Sequence, residues 1–331
     1  MEKEKKWNSG RILSTSSRFW HSCTIHAGVR LEVFSHIGEK KLGAVEVAGL
    51  ANASERGMTI LLNALAAMGL LTGEDGLFAN TESARELLDK KSPRYLGYII
   101  MHHHHLVDGW QQLDQAVVTG EPVETKSHGE EKERESFQLG MFNIAMAIAP
   151  RLADIIDLSS RRHLLDLGGG PGTHAIFFCK ANPELRATIF DRATTEPFAR
   201  KTTEKFGVAD RIDFIAGDFN SDDIPGRYDA AWLSQILHSN SYEECERLIA
   251  KTVSVVEPGG EILVHDFHLN DTMDGPLFPA LFSLNMLINN HGRSYSEKEV
   301  RSMMEKAGAG NIERLPFSGP NESSVLRGIV R

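Results

Sequence analysis

In the first third of the chain, apolar residues recur at helical spacing. Ile25, Val29, Leu31, Val33 and Phe34 predict a helix over 22–36, stopped by Gly38. A short helical segment follows around Val45–Leu50. Ser54 is placed to cap a helix running to about Leu70, with Leu61, Leu65 and Met68 on its apolar side. Leu70-Leu71-Thr72 and Leu77-Phe78-Ala79 flank Gly73-Glu74-Asp75-Gly76 and read as a hairpin, after which Thr81 opens another helix. Residues 1–15, charged and then polar, read as a loose arm. Tyr95–Val118 reads as one helix, ended by Thr119-Gly120-Glu121-Pro122. Glu124–Glu135 is charged without apolar period and reads as a solvated connection, and helical patterning resumes over Phe137–Ile148.

From about Leu152 the pattern changes. Short apolar runs alternate with helical stretches: His163–Leu167, Ala187–Phe190, Ile212–Phe219, Tyr228–Leu233 and Gly260–His265. The helix Glu243–Val256 is closed by Pro258-Gly259-Gly260. Strand alternating with helix implies an α/β fold with a parallel, doubly wound, Rossmann-like sheet. Asn311–Leu315 and Ser324–Val330 are close enough to pair as an antiparallel final hairpin. Helix, helix, helix, hairpin in the first third is a winged-helix plan, which raises DNA binding. Charge argues against that use, since 40–94 holds seven Lys/Arg and seven Asp/Glu.

The first apolar run ends in Asp166 and breaks into Gly168-Gly169-Gly170-Pro171-Gly172 before a helix resumes. Glycine lets the backbone approach a ligand that a Cβ would hold off. A dinucleotide fingerprint wants glycines at 168, 170 and 173, and position 173 is Thr173. Glycines at Gly168, Gly170 and Gly172 after an acid suit the amino-acid end of S-adenosylmethionine instead. The next run ends in Asp191, an acid able to take both ribose hydroxyls, and the third in Gly217-Asp218-Phe219, suited to an adenine amino group and ring face. On these three segments the chain resembles the class I S-adenosylmethionine-dependent O-methyltransferases, in the dimeric small-molecule branch that includes caffeate-type and acetylserotonin enzymes.

The resemblance implies three parts: a winged-helix dimerisation domain over 1–120, a linker and bridging helix over 121–151, and a cofactor-binding catalytic domain over 152–331. It also implies a homodimer and a small-molecule acceptor. The best base is His238, in Leu237-His238-Ser239-Asn240-Ser241-Tyr242-Glu243-Glu244-Cys245, just past the fourth strand. The family pattern there is His-Asp-Trp-Ser-Asp-Glu-x-Cys, of which His238, Ser241, Glu243 and Cys245 are kept. Asp266 matches the family carboxylate that holds the histidine's tautomer. A second family glutamate falls on Ser294, and the lysine that plant enzymes place on the adenine side falls on Ser234. Phe142 and Met146 match the bridging helix over the substrate, although a core role fits Met146 as well. The helix around Trp110 lines the acceptor site in the family. Phe278, Phe282, Met286 and Asn289 fall at spacings that share a helix face in the segment forming the acceptor wall, and core packing accounts for the same stripe.

Composition narrows the reading. In 331 residues, 41% are hydrophobic and 24% charged, with a formal charge of −9, which disfavours nucleic acid as the main partner. Cys23, Cys179 and Cys245 make no zinc pattern and no even disulfide set. His102-His103-His104-His105 has no carboxylate or cysteine at a metal-ligand spacing, so no metal is expected. No signal peptide or membrane span is seen, and the cytoplasm is the default. The activity expected is methyl transfer to the hydroxyl oxygen of a small aromatic molecule. Carbon or nitrogen methylation of a small molecule or tetrapyrrole, and a non-enzymatic winged-helix sensor of the cofactor, are the alternatives.

Overall fold

The computed structural model describes residues 6–125 and 130–331. Two compact units divide them. One runs to Leu106 and takes back the stretch ending at Asn143; the other starts at Val107 and holds everything from Ile144 onward.

The N-terminal unit is helical around a small sheet of β1 (Leu42–Gly43), β2 (Leu71–Glu74) and β3 (Leu77–Asn80), in the order β1-β3-β2 and antiparallel. Its core gathers Val33, Phe34, Ile37, Met58, Leu62 and Leu65. Several expected boundaries move. The arm holds a helix, Ser9–Ser16, because the Asn8 side chain accepts from the Arg11 N–H at 2.9 Å and caps it. The helix expected over 22–36 is two, Phe19–Arg30 and Val33–Ile37, broken where Glu32 takes φ 53°. Tyr95–Val118 is likewise two helices, Gly97–Trp110 and Leu113–Thr119. The expected connection over 124–135 becomes helix from Glu130, in the element Glu130–Met146, while residues 126–129 lie outside the described ones. Large apolar side chains on the first helices stay exposed, including Leu13 at 69% and Trp20 at 64%.

The catalytic unit is built on seven strands: β4 (His163–Leu167), β5 (Arg186–Asp191), β6 (Ile212–Ala216), β7 (Tyr228–Ser234), β8 (Val256–Phe267), β9 (Ala309–Arg314) and β10 (Ser323–Val330). Their order is β6-β5-β4-β7-β8-β10-β9. β4 through β8 run parallel, and β10 pairs antiparallel with both β8 and β9. The chain leaves β4 towards β5 and later returns on the other side as β7, so the order reverses at β4, where open α/β sheets bind ligands. Two apolar layers, one on each face of the sheet, bury Leu165, Leu233 and Ile262 on one side and Leu164, Trp232 and Leu263 on the other. Among the described residues no helix is long and apolar enough to cross a membrane.

Candidate active site

β4 is buried from Leu164 onward and ends at the glycine turn. Gly168, Gly170 and Gly172 have φ of 66°, 55° and 76°, the left-handed region that side chains resist. A Cβ on Gly169 would fall 2.5 Å from the Asp166 Cγ, so the turn also has to be bare over that carboxylate. Asp166 is fully buried, and neither of its oxygens completes a hydrogen bond. Burial pushes its pKa up to about 7, against the pull of the nearby Ala175 N–H and with help from the charge of Asp191. Asp191, at the end of β5, accepts from the Gly170 N–H at 2.8 Å and the Arg192 N–H at 2.7 Å, tying its strand to the glycine turn. Burial also raises its pKa, and those two donors resist the rise.

The remaining cofactor candidates collect at the same edge. The Gly217 N–H donates to the Asp191 carbonyl at 3.0 Å, and a Cβ on Gly217 would lie 2.5 Å from the Phe190 ring. Phe219 reaches to 3.2 Å from where a Gly168 Cβ would stand. Asp218 is exposed and accepts from the Asn220 N–H at 2.9 Å. The Ser234 hydroxyl turns inward, 2.8 Å from His265 Nδ1 and 3.4 Å from His174 Nε2. Around them lie buried polar atoms without partners: both oxygens of Asp166, Thr173 Oγ1, His174 Nδ1 and Trp232 Nε1. Trp232 is the β7 neighbour of Asp166. Orphaned buried polar groups are costly, and a group of them around a bare glycine turn fits a polar ligand at this edge.

His238 sits in the turn Leu237–Ser239, after β7. Its Nδ1 lies 2.7 Å from Asp266 Oδ1, which also accepts from the Phe267 N–H at 2.8 Å. Burial works to raise the Asp266 pKa. The charge and hydrogen bond of His238, the charge of His268 and the Phe267 N–H outweigh it and hold the carboxyl below its ordinary range. Phe267 stacks along the His238 ring at 6.1 Å, and Phe282 meets it edge-on at 4.7 Å. With Nδ1 occupied, Nε2 is the nitrogen left for an acceptor. The turn is braced from behind. Asn240 Nδ2 donates to the Ile236 carbonyl at 2.7 Å, and the Tyr295 hydroxyl to the Asn240 carbonyl at 2.6 Å. A Cβ on Gly292 would stand 2.0 Å from the His238 carbonyl oxygen.

As strand alternation predicts, His265 points away from Asp266. It stacks on Trp232 at 5.7 Å and 12°. His268 hydrogen-bonds Ser324 Oγ through Nδ1 at 2.8 Å and helps line a separate cavity of about 600 Å³ with Glu297, Arg301 and Arg314. Ser294, in the place of the second family glutamate, is fully buried with its hydroxyl unpartnered.

The acceptor-wall candidates lie on the helix Leu277–Asn289. Phe278 stacks on Phe282 at 5.7 Å and packs edge-on against Phe267 at 4.9 Å. Met286 is buried and Asn289 exposed. The Trp110 indole N–H donates to Asn285 Oδ1 at 3.0 Å. Phe142 and Met146 are half-buried on Glu130–Met146, the first in the N-terminal unit and the second in the catalytic one.

A family model of the O-methyltransferase domain matches residues 103–309. The chain belongs to the S-adenosylmethionine-dependent O-methyltransferases. The family's dimerisation domain matches residues 13–90. Among curated relatives, the 3-hydroxy-5-methyl-1-naphthoate 3-O-methyltransferase of Streptomyces sahachiroi is 31% identical over 96% of this chain and 94% of its own. The acetylserotonin O-methyltransferase of Bos taurus is 29% identical over 93% and 94%. Among solved structures, human N-acetylserotonin methyltransferase with S-adenosylmethionine superposes with a TM-score of 0.88 at 25% identity, covering 99% of both chains. PigF with S-adenosylhomocysteine superposes with a TM-score of 0.90 at 25% identity, covering 98% of this chain and 100% of its own.

Near the glycine turn and the His238 turn of this O-methyltransferase stand residues that sequence reading passed over. Gly169 stood in the glycine run without a role. Thr173, His174 and Trp232 carry orphaned polar atoms, and nothing in their spacing marked them. Asn285 stands three positions past Phe282, so the helix period was the available signal. Among the described residues, no group of three or more His, Cys, Asp or Glu is placed to hold a metal ion. In the histidine run, His104 lies 3.4 Å from Arg30 and its ring 5.5 Å from that of His26, while His102 meets Phe137 edge-on.

Proposed function

We propose that His238 is the base that takes the proton from an aromatic hydroxyl during methyl transfer, with Asp266 positioning it. The observation that carries this is the 2.7 Å contact that commits Nδ1 to Asp266 and leaves Nε2 uncommitted, in a ring flanked by Phe267 and Phe282. The Asp266 carboxylate fixes the tautomer with the proton on Nδ1, so Nε2 carries the lone pair. As the hydroxyl proton moves to Nε2, the charge gained on the ring is met by Asp266. S-adenosylmethionine, when bound, supplies an activated methyl group on its sulfonium.

For that cofactor we assign Asp166 and the turn Gly168, Gly170 and Gly172 to the amino-acid end, Asp191 to the ribose, and Gly217, Asp218 and Phe219 to the adenine, with Ser234 behind them. The buried orphan atoms of Asp166 and Thr173 support this assignment. Trp110, Phe142, Met146, Phe282, Met286 and Asn289 are assigned to the acceptor. The exposed apolar side chains at the start of the chain, Trp7, Leu13, Phe19 and Trp20 among them, support pairing of two copies through the dimerisation domain.

The test is a methyl-labelled cofactor incubated with a panel of phenols, hydroxyquinones, indoles and anilines, with NMR assignment of the product. Label on oxygen is expected. Label on carbon or nitrogen only would move the proposal to those atoms and remove the need for a base at His238.

A further inference from the structure

His268 stands just beyond the end of β8 and lines the separate cavity of about 600 Å³, a volume within the range of small-molecule sites. The residue is 6% exposed, and its Nε2 is buried without a partner, while Nδ1 lies 2.8 Å from the Ser324 hydroxyl. Burial, with the charges of Arg314 and Arg301, holds its pKa below the ordinary histidine range, although Asp266 and Glu297 pull it up. A neutral ring that accepts the Ser324 proton at Nδ1 carries its own proton on Nε2. A buried donor with no acceptor is costly. The charges lining the cavity are ordered. Arg301 Nε and Nη2 donate to Glu297 Oε1 at 3.0 and 2.7 Å, and Arg314 Nη1 donates to Glu297 Oε2 at 3.2 Å. One carboxylate between two guanidiniums leaves a positive charge over. Arg301 is fully used, since its Nη1 donates to the Ile312 carbonyl at 2.6 Å. Arg314, half-exposed, keeps Nε and Nη2 without an acceptor among the described residues. Asp271, Glu322 and Lys298 are exposed at the rim, where the acids outnumber the base.

We propose that this cavity is a second ligand site, separate from methyl transfer at His238, that takes a small zwitterion of the amino-acid class. Its carboxylate goes inward, onto the free donors of Arg314 and the Nε2–H of His268. Its ammonium group stays at the rim, facing Asp271 and Glu322. A guanidinium edge with two unused N–H groups matches a carboxylate in shape as well as charge. Leu269 and Pro276 line the same cavity and offer apolar contact to a side chain. An anion alone would meet the two rim acids uncompensated, and an amine alone would leave the guanidinium and the buried imidazole donor unpaired. Only a ligand with both charges, in that order, answers the whole wall.

The test is calorimetric titration of the protein saturated with S-adenosylhomocysteine, so that the amino-acid end of the cofactor site is already filled. The probes are L-norleucine, hexanoate and hexylamine, which share an apolar chain and differ in the charges they carry. Norleucine should bind saturably, one per chain, with hexanoate and hexylamine weaker by roughly tenfold or more. Arg314→Gln should weaken norleucine by roughly 10- to 100-fold, the worth of a hydrogen bond to a charged group. Glu322→Gln should weaken norleucine by up to about fivefold, as for an exposed ion pair, and leave hexanoate no weaker. Unchanged affinity for S-adenosylhomocysteine shows that each variant is folded. Absence of saturable norleucine binding overturns the site. Binding that Arg314→Gln leaves unchanged overturns it too, because the ligand then sits elsewhere. Hexanoate binding as tightly as norleucine overturns the zwitterion and the part given to the rim acids.

Discussion

His265 and Asp266 are neighbours on β8, and their two sides of the strand hold histidines in opposite conditions. On one side His238 faces a carboxylate at 2.7 Å, with the ring of Phe282 edge-on to it at 4.7 Å. On the other, His265 and His174 share the Ser234 hydroxyl and no carboxylate hydrogen-bonds to either among the described residues. Burial holds their pKa values down to about 4 and about 3. The same imidazole thus faces a carboxylate on one side and stands as a hydrogen-bonding strut, neutral at ordinary pH, on the other. What separates the two is the partner offered to the ring, since both rings are buried.

The largest expected effect is on the charged side. His238→Ala should slow single-turnover methyl transfer by roughly 10²–10⁴-fold, while S-adenosylhomocysteine affinity by calorimetry barely moves. A loss of less than about tenfold at every pH would mean that the two sides differ less than their geometry implies. Asp266→Asn tests the partner itself. It keeps the shape and removes the charge, so transfer should fall by roughly 10- to 100-fold, within the range of a charge-assisted hydrogen bond. An Asn variant as fast as the wild type would assign Asp266 to folding alone.

The smallest effect is on the neutral side and appears in stability. The folded pKa of His265 is lowered from 6.5 to about 4, so between those values the unfolded chain binds a proton that the folded chain refuses. Its stabilising contribution is complete above pH 6.5 and is lost as the pH falls towards 4. His174 acts with the same sign. Asp166, with its pKa raised to about 7, acts with the opposite one. Both are common to the wild type and to His265→Gln. The variant's unfolding free energy in urea should therefore change less steeply across that window, by up to about 1.4 kcal/mol per pH unit. Parallel curves would show that His265 titrates as an exposed histidine does.

Much of this was legible in the chain. Asp166 and Asp191 stood out because each ends an apolar run, His238 stood out only through its match to the family pattern, and β-strand alternation alone set His265 and Asp266 on opposite sides. What stayed hidden was of two kinds. The helix from Glu130 opens on Glu, Lys and Arg, strong helix formers without an apolar stripe, so propensity acted where the pattern was blank. The contacts of Trp110 with Asn285 and of Ser234 with His265 join distant segments, and no local period encodes them.

The close approach of Gly292 to the His238 carbonyl has a consequence for anyone recombining these enzymes. The segment that follows the helix Leu277–Asn289 and the turn that carries His238 touch backbone to backbone, and the Tyr295 hydroxyl fastens them again at Asn240. A chimera that imports a segment with any side chain at position 292, without a turn reshaped to match, would place it where no methyl group fits. The two segments are a single cassette, to be exchanged together when the acceptor range is redesigned.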